Sequence, residues 1–175
     1  MLRRERFKGY GKGVRIWPMA RIARPESAWL GNHVMIDDFA LIIAPVTLRD
    51  YSHVCSYASL LGGEEIELGE FAGTGIGVRI MSATEDYETM TSAVIQEPFR
   101  KPYRAPVKIG RHVTIGANSV VLPGVTIGEG AVVGALSLVK TDLEPWTIYA
   151  GVPVRPIGKR DKEAVLECER RFRES

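Results

Sequence analysis

The sequence predicts an all-β protein in which short strands wind as a parallel coil with three flat sides. Two observations lead to this fold class: aliphatic residues recur every six positions, and the breaks in that period all fall at one place in the coil. A helix would need apolar residues three and four positions apart, whereas a period of six suits a short alternating strand followed by a turn. At 175 residues, the chain is long enough for one domain with a substantial core.

The first ladder of buried positions occupies the N-terminal third of the chain. Three strands of six residues make one 18-residue coil, so every third position of the ladder shares a side, and we name the sides A, B and C from Leu30 onward. Small or β-branched residues stand four positions after most members of the ladder, which is two positions before the next member. In an extended strand, residues two apart face the same way, so these side chains also point into the core. The ladder runs Ile16, Ile22, Leu30, Ile36, Ile42, Leu48, Val54 and Leu60.

A second ladder follows after a bridging stretch with Leu68, Thr74 and Ile80. Glycine directly follows several of its members, and we expect these glycines to supply unusual φ angles at the corners. The ladder runs Ile109, Ile115, Val121, Ile127, Val133 and Val139, with the glycines at Gly110, Gly116, Gly128 and Gly134.

The six-residue phase breaks three times, and each break lies at the corner between side C and the next side A. Two extra residues separate Ile22 from Leu30, two separate Leu60 from Leu68, and a long insertion separates Ile80 from Ile109. Random loops would scatter over all three corners, so this agreement favours the triangular coil. It also places residues 81–108 in one loop excursion from a single edge.

The period is lost after Thr141. Pro145, Pro153 and Pro156 argue against regular structure there, and residues 161–174 predict a short amphipathic C-terminal helix capped by Asp161. We therefore expect a β-helical domain over residues 1–160 and a helix over 161–175.

Composition restricts the class of protein further. Hydrophobic residues make up 45% and charged residues 25% of the chain, and no apolar run approaches the ~20 residues that cross a bilayer. The N-terminus leads into no apolar stretch, so it does not resemble a secretory signal. Two cysteines cannot form a disulfide framework, which favours a reduced, cytoplasmic protein.

Charge is segregated along the chain although the net charge is only +2. Residues 1–25 carry eight basic residues against one acidic residue, and residues 26–97 carry two against twelve. Such patches indicate discrete anion-binding sites rather than a nucleic-acid-binding face. Weak association with a membrane surface is a secondary expectation for the basic N-terminus, which contains Arg3, Arg4, Arg6, Lys8, Lys12 and Arg15.

The ladder over residues 14–140 resembles the hexapeptide-repeat acyltransferases. The stretch 109–160, and most specifically "YAGVPVRPIG" within it, is similar to bacterial sugar O- and N-acetyltransferases, and "IMSATEDYETM" resembles those of capsule and lipopolysaccharide pathways. The resemblance implies a left-handed parallel β-helix, a homotrimer with active sites between subunits, acetyl-CoA as acyl donor with no metal required, and a sugar or nucleotide-sugar acceptor. It leaves O- against N-acetylation open.

The same resemblance suggests where CoA binds. Alanines at the corners would line the pantetheine arm, Ala150 and Gly151 would close its slot, and nearby cations would meet the phosphates. The predicted residues are Ala117, Ala135, Lys140, Ala150, Gly151, Arg155, Lys159 and Arg160.

The catalytic base is where the sequence departs from these relatives. In the family a histidine usually deprotonates the acceptor, but neither of its usual positions, the start of the loop or the stretch before a side-A strand, holds histidine here. Of His33, His53 and His112, only His53 is expected to face outward from a strand, in "SHV", a context similar to a thioester-proximal site in some amino-sugar acetyltransferases. His53 is therefore the candidate base.

Loop residues offer a second chemistry for the same site. Glu85 or Asp86 could act as the base or orient His53, and Tyr87 and Tyr103 could stack on a sugar. Cys55 raises the possibility of a covalent acyl-enzyme, but it directly follows a buried position, so we expect its side chain to face away from the site.

Two functions from other classes remain open at this point. A non-catalytic scaffold would explain the missing loop histidine, although the CoA-like tail argues against it. A carbonic-anhydrase-type metal enzyme would need three converging imidazoles, whereas His33 and His112 are predicted to lie about three coils, or roughly 14 Å, apart.

Overall fold

A computed structural model describes residues 4–175, which form a parallel β-helix of six coils and a partial seventh. Besides 3-10 turns at Arg4–Arg6 and Pro25–Ser27, its elements are β1 (Gly9–Tyr10), β2 (Arg15–Ile16), β3 (Arg21–Ile22), β4 (Ala28–Leu30), β5 (Met35–Ile36), β6 (Leu41–Ile42), β7 (Val46–Leu48), β8 (His53–Val54), β9 (Ser59–Leu61), β10 (Ile66–Leu68), β11 (Gly73–Thr74), β12 (Arg79–Met81), β13 (Ala83–Thr84), β14 (Tyr103–Arg104), β15 (Val107–Ile109), β16 (Thr114–Ile115), β17 (Val120–Val121), β18 (Thr126–Ile127), β19 (Val132–Val133), β20 (Leu138–Val139), β21 (Thr147–Gly151), β22 (Val154–Lys159) and α1 (Lys162–Arg173).

The three predicted sides are three sheets. Side A runs β1-β4-β7-β10-β15-β18, side B runs β2-β5-β8-β11-β16-β19-β21-β22, and side C runs β3-β6-β9-β12-β17-β20. Strands one coil apart pair in parallel and in register, so Leu48 lies between Leu30 and Leu68. The ladder residues from Ile22 onward are buried and form the core, which confirms the six-residue period and the assignment of the sides.

The long excursion leaves the coil at the corner between sides C and A, as predicted. It begins slightly later than the expected position 81, because Met81 still belongs to β12 and pairs with Leu61. Its base is an antiparallel pair of short strands, with Thr84 opposite Tyr103. The loop is therefore anchored at both ends before it extends away from the coil.

The corner glycines serve a different purpose from the predicted one. Those that follow a buried position do not adopt positive φ; the left-handed residues lie two positions later and are mostly not glycine, as at His33 and Tyr51. A Cβ on Gly116 would instead lie 2.4 Å from the backbone nitrogen of Ala135 in the next coil. These glycines are required because successive coils approach too closely for a side chain.

We predict that Gly116→Ala destabilises the protein by about 1–3 kcal/mol, because the added methyl group meets backbone that cannot move independently of its coil. Gly63→Ala is the matched control, since a Cβ there lies an ordinary 3.8 Å from Arg104 Cδ. Urea denaturation of both variants measures the difference. Equal midpoints would show that the corner accommodates a side chain.

The expectation of irregular structure after Thr141 is wrong. Strands β21 and β22 form an antiparallel hairpin that extends side B, with a register shift between Ile148 and Tyr149. Pro156 is tolerated because β22 is the last strand of its sheet, where a missing N–H removes no bond to a further neighbour. The tail thereby continues the surface of side B.

Helix α1 begins as predicted, with Asp161 Oδ1 accepting a hydrogen bond from the backbone N–H of Ala164 at 3.0 Å. The helix packs along the corner between sides A and B. Phe172 meets the Tyr51 and Phe71 rings edge-on, at centroid distances of 5.3 and 5.9 Å. Among residues 4–175, no helix is both long and apolar enough to cross a membrane.

Beneath α1, four rings on successive coils stack as a column. The centroid spacings are 4.9, 5.0 and 5.1 Å through His33, Tyr51, Phe71 and His112. The last ring of the column, His112, is only 8% exposed. The column, with its covering helix, forms one wall beside side B.

Candidate active site

His53 lies on β8, the third strand of side B. Its neighbours Ser52 and Val54 are fully buried, whereas His53 itself is half-buried and faces outward, as the alternation of the strand predicts. In the sheet it stands between Met35 and Gly73. Because Gly73 has no side chain, the surface on the C-terminal side of the imidazole is open.

Asp37 is bonded to this histidine, a contact that the sequence analysis missed. Nε2 of His53 lies 2.9 Å from Asp37 Oδ2. A carboxylate can only accept, so the neutral ring carries its proton on Nε2 and presents an unprotonated Nδ1. Among the described residues, Nδ1 has no hydrogen-bond partner of its own. The pair thus has the arrangement of a general base held in one tautomer by a carboxylate.

Cys55 faces the same surface, contrary to the expectation that it points away. His53 and Cys55 flank the buried Val54, so they are two residues apart and share the outer face. The ligand atoms of Asp37, His53 and Cys55 all lie within 4.8 Å of one another. Burial, with a smaller contribution from the Asp37 carboxylate, raises the pKa of the Cys55 thiol, which disfavours the nucleophilic thiolate.

A cavity of about 460 Å³ lies on one flank of His53, towards the corner covered by α1. The His33 and Tyr51 rings and the edge of Phe172 line it on the helix side. Arg15 lines it as well and provides positive charge. The cavity thus combines aromatic rings, a cation and the candidate base, which suits a polar ring-containing ligand that carries negative charge.

A row of residues with no side chain or only a methyl group lies on the other flank, along the edge of side B at its corner with side C, and we call this row the groove. Above Cys55, the equivalent position on each successive coil is glycine or alanine, over four coil steps or about 19 Å at ~4.8 Å each. The positions are Gly75, Gly116, Gly134 and Ala150, and the predicted Ala117 and Ala135 directly follow two of them. A slender, extended ligand would fit along this groove.

Arg155 lies at the far end of the groove, because it pairs with Ala150 in the terminal hairpin. It is exposed, and within residues 4–175 its side chain forms no hydrogen bond or ion pair. Lys140 is exposed too, but it follows the last strand of side C and so lies towards another corner. The structure thus brings Arg155, Ala150 and Gly151 together and places Lys140 apart from them.

The other predicted cations have structural partners. Lys159 Nζ donates to Thr147 Oγ1 at 2.7 Å, and Arg160 donates to the carbonyl oxygens of His112 and Gly130 at 2.5 and 3.2 Å. Burial lowers the pKa of Arg160. These two residues fix the terminal hairpin to the coil.

The predicted loop residues lie apart from His53 within one chain. Glu85 pairs with Arg100, whose hydrogen bonds hold the pKa of Glu85 below its ordinary value. Asp86 Oδ1 accepts from the Glu88 backbone N–H at 3.0 Å, and Tyr87 is 87% exposed. In a three-sided coil, the corner between sides C and A is opposite side B, so this loop extends away from its own histidine.

Comparisons with known proteins show the family of the chain. A family model described as bacterial transferase hexapeptide (six repeats) matches residues 106–141. The dTDP-4-amino-4,6-dideoxy-D-glucose acyltransferase of Escherichia coli is 36% identical over 174 residues, covering 97% of this chain and 90% of that protein. The chain belongs to the hexapeptide-repeat acyltransferases.

Two crystal structures of AntD, an N-acyltransferase from Bacillus cereus, are also similar to this acyltransferase. One, a variant with dTDP-4-amino-4,6-dideoxyglucose and coenzyme A, has a TM-score of 0.92 at 37% identity and covers 97% of this chain and 91% of its own. The other, with dTDP and 3-hydroxybutyryl-CoA, has a TM-score of 0.93 at 36% identity, covering 98% and 92%. The fold is therefore the left-handed β-helix, and the protein is an acyltransferase that uses an acyl-CoA donor and a sugar or nucleotide-sugar acceptor.

The acyltransferase assignment overturns the scaffold alternative. The carbonic-anhydrase alternative loses its geometric basis, because Tyr51 and Phe71 separate His33 from His112 in the ring column. His112 instead forms a hydrogen bond with Glu169 of α1, at 2.7 Å between Nε2 and Oε2.

Proposed function

We propose that this protein transfers an acetyl group, or a related short acyl group, from CoA to the amino group of a nucleotide-linked 4-amino sugar. The observation that carries the proposal is the position of His53, with a cavity on one flank and a groove on the other. The names of the similar proteins supply the acceptor class, a dTDP-linked 4-amino-4,6-dideoxy sugar. The cavity suits such an acceptor because it joins aromatic rings to a cation.

The arrangement indicates direct transfer between two bound substrates. The pantetheine arm lies along the groove, so that the thioester carbonyl carbon reaches His53, and the acceptor amine enters from the cavity. As the amine nitrogen attacks that carbon, Nδ1 of His53 takes its proton, and Asp37 stabilises the resulting imidazolium. The C–S bond then breaks, and the proton passes from His53 to the departing CoA sulfur.

The quaternary structure that we propose is a homotrimer with this site between subunits. The loop that carries Asp86 and Tyr87 projects opposite side B, so only the loop of a neighbouring chain can cover His53. Large apolar side chains, each 47–60% exposed, also line successive coils of the corner between sides B and C: Met19, Phe39, Tyr57 and Ile76. Exposed apolar columns of this kind mark interfaces between proteins.

Light scattering at micromolar concentration should therefore give about three times the 19.3 kDa mass of the chain. An assembly is expected because separating the subunits would expose the apolar column to water. A stable monomer would remove the site between subunits and leave the loop residues without a role in the reaction.

Arg155 is the residue that we assign to a CoA phosphate. Arg155→Ala should weaken acetyl-CoA binding by ~10–100-fold, the usual effect of losing a hydrogen bond to a charged group, and should leave the unliganded melting temperature unchanged. Arg171→Ala, an exposed arginine on α1, is the matched control. Thermal shift titration with acetyl-CoA measures both variants. Equal ligand-induced shifts in Arg155→Ala and wild type would rule out the contact.

We also expect the protein to work in the cytoplasm. Cys55 and Cys168 are both free thiols, as is usual in a reducing compartment. No feature of residues 4–175 supports the expected membrane association, and of the basic residues behind that prediction, Arg3 lies outside the described residues.

A matched pair of acceptors tests the proposed function. Release of free CoA thiol is followed with acetyl-CoA and either the dTDP-linked 4-amino-4,6-dideoxyglucose or its 4-hydroxy counterpart. We expect release only with the amino sugar, and a product heavier by one acetyl group. Faster reaction of the 4-hydroxy sugar would make the protein an O-acyltransferase instead.

A further inference from the structure

Asp37, His53 and Cys55 together resemble a site for a soft divalent cation. Each contributes one side-chain ligand atom, a carboxylate oxygen, an imidazole nitrogen or a sulfur, and these atoms lie within 4.8 Å of one another. All three residues are half-buried on the outer surface of two adjacent coils. Imidazole, thiolate and carboxylate are the three ligand types that Zn²⁺ accepts.

We propose that this triad binds Zn²⁺ or a similar cation, and that the bound ion inhibits acyl transfer. The binding depends only on the three side chains, whereas the inhibition rests on the proposed role of His53. The proposed reaction uses His53 and Asp37 without a metal, so the ion would occupy side chains that the metal-free enzyme uses for another purpose.

The distances need only small side-chain adjustments. In a tetrahedral site with Zn–N and Zn–O near 2.1 Å and Zn–S near 2.3 Å, neighbouring ligand atoms lie about 3.3–3.6 Å apart. The distance between His53 Nε2 and Asp37 Oδ2 would lengthen from 2.9 Å to that range. The distances from Cys55 Sγ to these two atoms, which are at most 4.8 Å, would shorten to it. Three protein ligands leave the fourth position for water, as in open zinc sites.

Charge favours the ion as well. A carboxylate and a thiolate, which forms when the Cys55 proton is released on binding, together balance a divalent cation.

Inhibition follows from the tautomer of His53. A metal on Nε2 uses the lone pair of that nitrogen, so the neutral ring must carry its proton on Nδ1. Nδ1 is the atom that accepts the amine proton in the proposed reaction, and the ion therefore removes the base. It also takes Asp37 away from its stabilising role.

Cobalt provides a direct probe of binding without substrates. Co²⁺ added to the tag-free protein should produce a thiolate-to-cobalt absorption band that saturates at one ion per chain. Zn²⁺ should then displace Co²⁺ and abolish the band. Cys55→Ser should lose the band, and Asp37→Asn should weaken Co²⁺ binding by at least ~10-fold. Cys168→Ser, which removes the other thiol, should bind as wild type does. A band that persists in Cys55→Ser, or no band in wild type, would overturn the proposal.

A second measurement addresses inhibition. Zn²⁺ should lower the transfer rate of wild type by ~10²-fold at saturation, the value of a lost general base. Relative to its own metal-free rate, Cys55→Ser should require at least ~10-fold more Zn²⁺ than wild type for the same fractional inhibition. Equal inhibition of the two proteins would overturn the regulatory part. Absence of transfer in metal-free wild type would instead refute the proposed function and leave the cobalt result standing.

Discussion

His53→Ala should lower kcat by ~10²–10⁴-fold while leaving acetyl-CoA affinity nearly unchanged. In the proposed reaction the imidazole takes the amine proton, and its Nδ1 is available because Asp37 holds Nε2 at 2.9 Å. The proposed CoA contacts lie along the groove and at Arg155, away from the ring. Steady-state rates with the amino-sugar acceptor, together with a thermal shift titration, separate the two effects.

Two further variants identify how the histidine acts. Asp37→Asn should keep the hydrogen bond but allow the opposite tautomer, so we expect a kcat loss smaller than that of His53→Ala and a changed pH profile. Asp86→Asn should cost less than His53→Ala, because its carboxylate is occupied with the loop backbone. A His53→Ala rate within about tenfold of wild type would refute the base assignment, and the enzyme would then act by positioning a free amine.

Glu169→Gln should destabilise the protein by about 2–3 kcal/mol, the usual range for losing hydrogen bonds to charged groups. The Glu169 side chain is only 7% exposed and pairs with Arg111, His112 and Arg173, so one carboxylate joins α1 to the coil. Glu167→Gln is the matched control, since that exposed residue pairs only with Arg170 and should cost less than ~0.5 kcal/mol. Urea denaturation measures both.

In wild type, acid should remove the contribution that the ionised Glu169 carboxylate makes to the free energy of unfolding. Burial opposes the charged form of Glu169, but hydrogen bonds from Arg173 and His112 outweigh it and hold the pKa of Glu169 below its ordinary value. Because the folded pKa is the lower one, the stabilisation is present in full above the unfolded pKa of about 4.3 and is lost as pH falls below it. The difference between wild type and Glu169→Gln should therefore shrink below pH ~4. A difference independent of pH would contradict the role of this carboxylate.

The coil was predictable because its core repeats every six residues. Parallel pairing between equivalent strands keeps Leu30, Leu48 and Leu68 in register, so sequence spacing reports spatial neighbours directly. The terminal hairpin was not predicted because an antiparallel pair does not follow the six-residue period. In addition, proline is excluded only from strands with a neighbour on both sides, whereas Pro156 lies in the last strand of its sheet. The corner glycines were misinterpreted because close coil packing and positive φ favour the same residue type.

The site was only half predictable. His53 could be chosen because strand alternation places it outward, but its bond to Asp37 joins residues 16 positions apart. The period does contain a usable signal: Asp37 and Cys55 each directly follow a side-B ladder residue, one coil apart, which places their side chains beside each other. The cavity could not be predicted, because Phe172 reaches it from a helix whose docking depends on tertiary contacts.

The most direct test is the pattern of initial rates when acetyl-CoA is varied at several fixed concentrations of the amino-sugar acceptor. Because the groove and the cavity flank His53 from opposite sides, both substrates must be bound before the acyl group moves. Double-reciprocal plots should therefore intersect, and the pattern should be the same in Cys55→Ser. Parallel lines, with an acetylated enzyme that accumulates in wild type and disappears in Cys55→Ser, would show a covalent intermediate and contradict direct transfer.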